Sequence, residues 1–281
     1  DLTIKNLDDL FYAHRTTANQ DIYFVYNDSD KRKLFDARFE VTGKVPELWD
    51  AKTGKIKKLA AFHSNKGVTN VAFRLEANES AFVIFNDDAE GKAQISPQVI
   101  KNNDIEALYN EQFAVEFAAD NNQKLTLYIN GETKQLVLDD IPAKQLLAGS
   151  WQVTFAKEYG LEQTFTFDKL INWKDSNNPE IRAYSGIATY EKTFKVDAEL
   201  LADNQQVTLN LGKVSDSAQV FINGKEVGTA WLYPFTLDVS AYLQAGENQL
   251  TVKVANSWSN RLITDESLPD SSEYWQANGT H

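Results

Sequence analysis

Apolar and polar residues alternate with a period of two through much of this chain, most cleanly over residues 206–265. Val207, Leu209 and Leu211 share one side of a first run there, and Val220 and Ile222 carry a second. Asn223-Gly224, placed before a return strand at 227–231, predicts a tight hairpin turn with positive φ. The alternation resumes after Pro234 in Phe235-Thr-Leu-Asp-Val, and the turn Gly246-Glu-Asn leads to Leu250, Val252 and Val254 on one face. Nearer the start, Asp21–Asn27 predicts a strand by its β-branched and aromatic content. Phe35, Ala37, Phe39 and Val41 then face one way while Asp36, Arg38, Glu40 and Thr42 face the other, giving that strand a dry side and a wet side.

Lys52-Thr-Gly54 predicts another hairpin turn, and residues 68–75 and 80–86 two further strands. Residues 86–110, rich in Asp, Asn, Lys and Gln with Pro97 among them, read as a connection. Strand character returns at Phe113, Val115 and Phe117, then at Leu125, Leu127 and Ile129, closed by Asn130-Gly131. Trp151, Val153 and Phe155 open a new set of strands. Trp173 and the loop Asn177-Asn-Pro179 lead on to the strand of Ala188, Tyr190 and Phe194. Helical signals are short, near 198–201 and 239–243. The pattern predicts an all-β chain of two β-sandwich domains, residues 1–142 and 143–281, with the boundary near Ala143.

A length of 281 residues agrees with roughly two domains, each able to bury its own core. The net charge of −12, from 40 acidic against 28 basic side chains with no basic stripe, opposes binding to nucleic acid. No apolar run approaches the roughly 18 residues of a spanning helix, so no membrane partner is expected. The absence of cysteine removes disulfides, thiolate metal sites and cysteine nucleophiles together. With no methionine anywhere and a polar start at Asp1-Leu-Thr-Ile, the chain is expected to be excised from a longer polypeptide.

The run VFINGKEVGTAWLYPFTLDVSAYLQAGENQLTVKVANSWSNRLITD (220–265) resembles the sugar-binding β-sandwich of family 2 glycoside hydrolases, a galactose-binding-like jelly roll. With YSGIATYEKTFKV (184–196) ahead of it and Asn260-Arg-Leu-Ile near its close, the same region resembles the C-terminal end of glycoside hydrolase family 106, the α-L-rhamnosidases. HRTTANQDIYFVYN (14–27) and VTGKVPELWDAKTGKI (41–56) are similar to the segments that follow that family's catalytic barrel, and Thr264-Asp265 stands where its pattern has Gly-Asp. The resemblance implies a non-catalytic C-terminal accessory or carbohydrate-binding region of a bacterial α-L-rhamnosidase-like enzyme that acts on rhamnose-containing plant glycans. The implied partners are carbohydrate and the catalytic barrel of the same polypeptide, and the implied location is secreted or periplasmic. A structural calcium is compatible with the resemblance, but the sequence names no ligands for it, and no other cofactor is implied. A free-standing carbohydrate-binding or adhesion module is the alternative.

No catalytic residue is assigned. A glycosidase holds two acids about 5–10 Å apart across a cleft, whereas Asp87-Asp88 and Asp139-Asp140 are sequence neighbours and read as solvated loop acids. The family's catalytic acids belong to the barrel, and this sequence has none of a barrel's β/α alternation. His14, His63 and His281 make no metal-binding spacing, no Gly-x-Ser-x-Gly elbow occurs, and Asp28-Ser-Asp30 lacks the Gly and Glu of a calcium loop.

A sugar site wants an exposed aromatic platform beside polar side chains, because a sugar ring presents apolar C–H faces ringed by hydroxyls. Trp231, Tyr233, Trp258, Asn260 and Arg261 offer that combination, either to a sugar or to the barrel. Jelly rolls also bury tryptophans between their sheets, which is the competing account. The two segments share one rim if their preceding strands run the same way, and lie at opposite ends otherwise. His14-Arg15, just ahead of the first strong strand, is a second barrel-facing candidate that an interdomain hydrogen bond or salt bridge explains equally well.

Overall fold

The structure, a computed structural model, describes residues 2–4, 9–86, 95–96, 100, 105–110, 115–129, 132–156, 161, 163–203 and 205–266. Pro97, Phe113, Asp87-Asp88, Asn130-Gly131 and His281 lie outside these described residues. The chain divides into two compact units, Asp1–Ala143 and Lys144–His281. Both are built from antiparallel strands, as the period-two pattern requires.

The first unit carries thirteen described strands: β1 (Leu2–Ile4), β2 (Leu10–Thr16), β3 (Asp21–Asn27), β4 (Lys33–Phe39), β5 (Val45–Trp49), β6 (Ile56–Leu59), β7 (Phe62–Asn65), β8 (Val68–Leu75), β9 (Ser80–Asn86), β10 (Ile105–Tyr109), β11 (Val115–Ala119), β12 (Gln123–Ile129) and β13 (Glu132–Leu138). A four-stranded sheet, β1-β4-β8-β7, and a seven-stranded sheet, β11-β10-β6-β5-β9-β3-β2, share one core, to which the β12-β13 hairpin adds Leu125 and Leu127. The inward residues of β4 are the expected Phe35, Ala37 and Phe39. Phe39 meets Tyr23 of the larger sheet edge-on at 4.7 Å and Phe85 at 5.0 Å, so aromatic rings join the two layers.

Two expectations need correction in this unit. The connection predicted for 86–110 contains β10, whose Ile105, Ala107 and Tyr109 are buried; five residues between Asp104 and Asn110 were too short a run to stand out. His14 and Arg15 lie ahead of the strand Asp21–Asn27 as expected, but within a strand of their own, β2, that was not predicted. β2 shows no clear alternation because, after Leu10, all of its residues except the half-buried His14 are exposed.

The second unit contains β14 (Trp151–Phe155), β15 (Gln163–Phe167), β16 (Ile187–Val196), β17 (Thr208–Asn210), β18 (Ser217–Ile222), β19 (Lys225–Ala230), β20 (Thr236–Asp238) and β21 (Gly246–Ala255). Its main sheet runs β15-β14-β16-β21-β18-β19. The β17-β20 ladder supplies Leu209 and Leu237 to the core from a second layer. Phe155 sits at the centre, edge-on to Tyr184 at 4.8 Å and to Trp173 at 5.5 Å. The Trp173 Nε1–H donates to the Tyr190 hydroxyl at 2.6 Å, which pairs two buried polar atoms. Asn223 and Gly224 both adopt positive φ, 53° and 76°, as the hairpin prediction requires.

The predicted short helical turns occur at Ala198–Leu201 and Ser240–Tyr242, but two helices were not foreseen. In Pro179–Ala183 the N-cap is Asn178, whose side chain accepts from the Glu180 N–H at 2.8 Å, so Asn-Pro starts a helix instead of sitting in a loop. Ser259–Glu266 is helical over the segment read only as the motif's close. β21 begins at Gly246, within the predicted turn, and β19 ends at Ala230, which leaves Trp231 outside the strand.

Candidate functional site

Strand direction settles where the candidate segments go. β19 and β21 each pair antiparallel with β18, so they run parallel to one another, and Ala218 of β18 pairs with both Ala230 and Val254. The chain therefore leaves both strands at the same end of the sheet, at points two strand spacings, or about 10 Å, apart. The loop from Trp231 and the segment from Asn256 share one rim of the second unit.

At this rim Trp231 is 54% exposed and Trp258 71% exposed, and Leu232, Tyr233, Leu262 and Ile263 are exposed as well. The tryptophans buried between the layers are Trp151 and Trp173. Tyr233 leans edge-on against the buried Phe235 at 4.7 Å, which fixes the outer loop to the core. The second segment is held by Asn256: its Oδ1 accepts from the Gly186 N–H at 2.8 Å, and its Nδ2 donates to the Tyr184 carbonyl at 3.0 Å. Asp216 accepts from the Ser257 N–H at 2.6 Å, and Ser185 Oγ accepts from the Arg261 N–H at 3.1 Å.

The polar candidates are engaged by the scaffold. Asn260 Nδ2 points at the Tyr184 carbonyl, 3.5 Å away, and Arg261 Nε donates to Asp265 at 3.0 Å along the helix. What the rim presents outward is aromatic and aliphatic surface on a pinned backbone, suited to stacking against an apolar face. Asn256, Ser185 and Asp216 escaped sequence reasoning because they touch only backbone. Asn and Ser ahead of a helix start were the available signal.

His14 and Arg15 are not part of this rim; they lie in the first unit, on edge strand β2. The His14 ring stacks on Tyr23 at 4.1 Å and 3°, and its Nε2 is 3.2 Å from Thr16 Oγ1 and 3.5 Å from Asp21 Oδ1. Arg15 Nη1 donates to the His14 carbonyl at 3.2 Å. The Tyr23 hydroxyl is buried and, among the described residues, has no hydrogen-bond partner. Burial, with the charges of Asp21, Glu40 and Tyr12 adding to it, pushes its pKa up from 10.0 to about 12. Among the described residues no group of three or more His, Asp or Glu could hold a metal ion, so the calcium compatible with the resemblance finds no such donor set there.

Residues 148–281 match the family model for the sugar binding domain of glycosyl hydrolases family 2, and residues 1–64 match that for alpha-L-rhamnosidase, glycoside hydrolase family 106. This chain is a glycoside hydrolase-related region. Over 141 residues it is 43% identical to a putative beta-glucuronidase of Formosa agariphila, covering 50% of this chain and 12% of that protein. It is 24% identical over 176 residues to a beta-galactosidase of Clostridium acetobutylicum, covering 50% of this chain and 19% of that one. Among solved structures, a rhamnosidase from Novosphingobium sp. PP1Y matches 97% of this chain with a TM-score of 0.68 and 28% identity, over 22% of its own length. The chain thus spans only a small part of the proteins it resembles, and the resemblance to a rhamnosidase extends through both of its units.

Proposed function

We propose that this chain is the non-catalytic accessory and carbohydrate-binding region of a larger α-L-rhamnosidase-like glycoside hydrolase acting on rhamnose-containing plant glycans. The observation that carries the reading is the likeness of 97% of the chain to about a fifth of one rhamnosidase. In this reading the catalytic barrel belongs to the same polypeptide, and the enzyme is secreted or periplasmic. The rim formed by Trp231, Tyr233 and Trp258 supplies ring faces for the C–H face of a sugar, or for the barrel. The pinned backbone keeps those rings in place with little ordering cost on binding.

The test is twofold. Purified chain is expected to release no p-nitrophenol from the p-nitrophenyl α-L-rhamnoside; release that is abolished by a substitution within the chain would overturn the non-catalytic reading. Calorimetric titration with rhamnose-terminated oligosaccharides is expected to show binding that Trp231→Ala and Trp258→Ala remove at an unchanged melting temperature. The 43% identity to a putative beta-glucuronidase favours a second reading, in which the glycan carries glucuronic acid. Glucuronic acid-terminated oligosaccharides therefore belong in the same titration, and tighter binding of these selects that reading.

A further inference from the structure

The outer face of the first unit's seven-stranded sheet is the feature that neither the core nor the rim of the second unit accounts for. Tyr23 and Val25 of β3, and Val83 and Phe85 of β9, point into the core. Their neighbours Phe24, Phe82 and Ile84 must therefore point out. Register lines these residues up across strands: Ala13 of β2 opposite Phe24, Phe24 opposite Phe82, and Phe82 opposite Trp49 of β5. Phe11 is 60% exposed one step along β2, and Phe24 is also exposed. Ile84 is buried without belonging to the core cluster.

We infer that this aromatic face is a protein-docking surface, and that its occupant is the remaining, larger part of the glycoside hydrolase polypeptide. The inference rests on the function proposed above. Ring geometry argues for protein over sugar: Phe24 and Phe82 meet edge-to-face at 5.4 Å and 62°, so their faces are not coplanar and offer no flat platform to a sugar ring. Interdigitating side chains fill such a surface well. The occupant follows from extent and position. In the Novosphingobium rhamnosidase about four fifths of the chain lies outside the matched 22%. Three of the strands that build the face, β2, β3 and β5, fall within the residues matching the alpha-L-rhamnosidase family model. At the sheet edge β2 exposes Phe11, Tyr12, Ala13, Arg15 and Thr16, which a neighbouring domain wrapping that edge would cover.

The experiment uses the polypeptide as its gene encodes it, with the photo-crosslinking amino acid p-benzoylphenylalanine placed at Phe11 or at Phe24 and, as controls, at Thr166 or Thr229 on the outer face of the second unit's sheet. After irradiation, mass spectrometry is expected to place crosslinks from positions 11 and 24 onto residues outside 1–281 of the same polypeptide, and to find none from the controls. Crosslinks to a second copy, crosslinks only within 1–281, no crosslinks, or a gene that encodes nothing beyond this chain each overturn the inference. Rhamnosidase activity of that same polypeptide is measured alongside, so that a lost docking face and a lost enzyme reading are told apart.

Discussion

The two units treat the outer faces of their main sheets in opposite ways. In the second, the cross-strand partners are Thr154 with Thr164, hydrogen-bonded at 2.9 Å, Gln152 with Thr166 at 3.1 Å, and Gln219 with Glu226 at 2.9 Å. Among the described residues the one large ring on that face, Phe221, lies beneath the Lys253 ammonium at 5.1 Å. In the first, the equivalent positions hold Phe11, Phe24, Phe82 and Trp49. Both sheets bury their inward residues alike, so the contrast lies wholly in the outward ones. A face of hydroxyls and amides is finished for water, whereas a face of rings is finished only when something covers it.

The largest effects should show that the units are equal on the inside. Phe39→Ala and Phe155→Ala each remove a fully buried ring and are expected to cost about 3–5 kcal/mol. In calorimetry each should lower only the transition of its own unit, and a single shared transition would count against independent cores. Next come the two buried tyrosines. Tyr190→Phe leaves the Trp173 N–H unpaired and is expected to cost about 1–3 kcal/mol, whereas Tyr23→Phe removes a hydroxyl without a described partner and should be neutral or stabilising at neutral pH.

The outer faces give a smaller difference. Phe24→Thr loses its ring pair with Phe82 and should cost about 0.5–1.5 kcal/mol, while Thr166→Val should change stability by less than about 0.5 kcal/mol. Binding of an apolar dye should fall in the first variant and rise in the second. Visible only in alkali, and absent at neutral pH, is the titration of Tyr23. Its folded pKa of about 12 lies above the ordinary 10.0, so the folded state holds this proton more tightly. Its contribution to stability is complete below pH 10 and is lost as the pH rises toward 12. Urea midpoints measured from pH 9 to 12 should fall more steeply for the unsubstituted chain than for Tyr23→Phe.

Residues with one wet and one dry side could be read directly. β14 begins and ends where the alternation puts it, β3 where its β-branched and aromatic content does, and β8 and β9 also match their predicted ranges. β2 was invisible as a strand because, with only Leu10 buried and His14 half-buried, no period of two is imposed on Leu-Phe-Tyr-Ala-His-Arg-Thr. The helix at Ser259–Glu266 buries no residue, so it too left no periodic stripe to detect. At the rim, the exposed aromatics were recognisable by type. Which end of the sheet they reach depends on β18 lying between β19 and β21, a long-range pairing that no local pattern encodes.

The Asn256 amide gives this rim one further property. Because Asn256 fixes the departing chain through Tyr184 and Gly186, residue 258 can be exchanged without disturbing the mount that carries it. Selection can then retool the contact surface one ring at a time, and each trial leaves the sandwich folded. A single change of Asn256 itself, by contrast, would redirect every residue beyond it at once, turning a stepwise search into a jump.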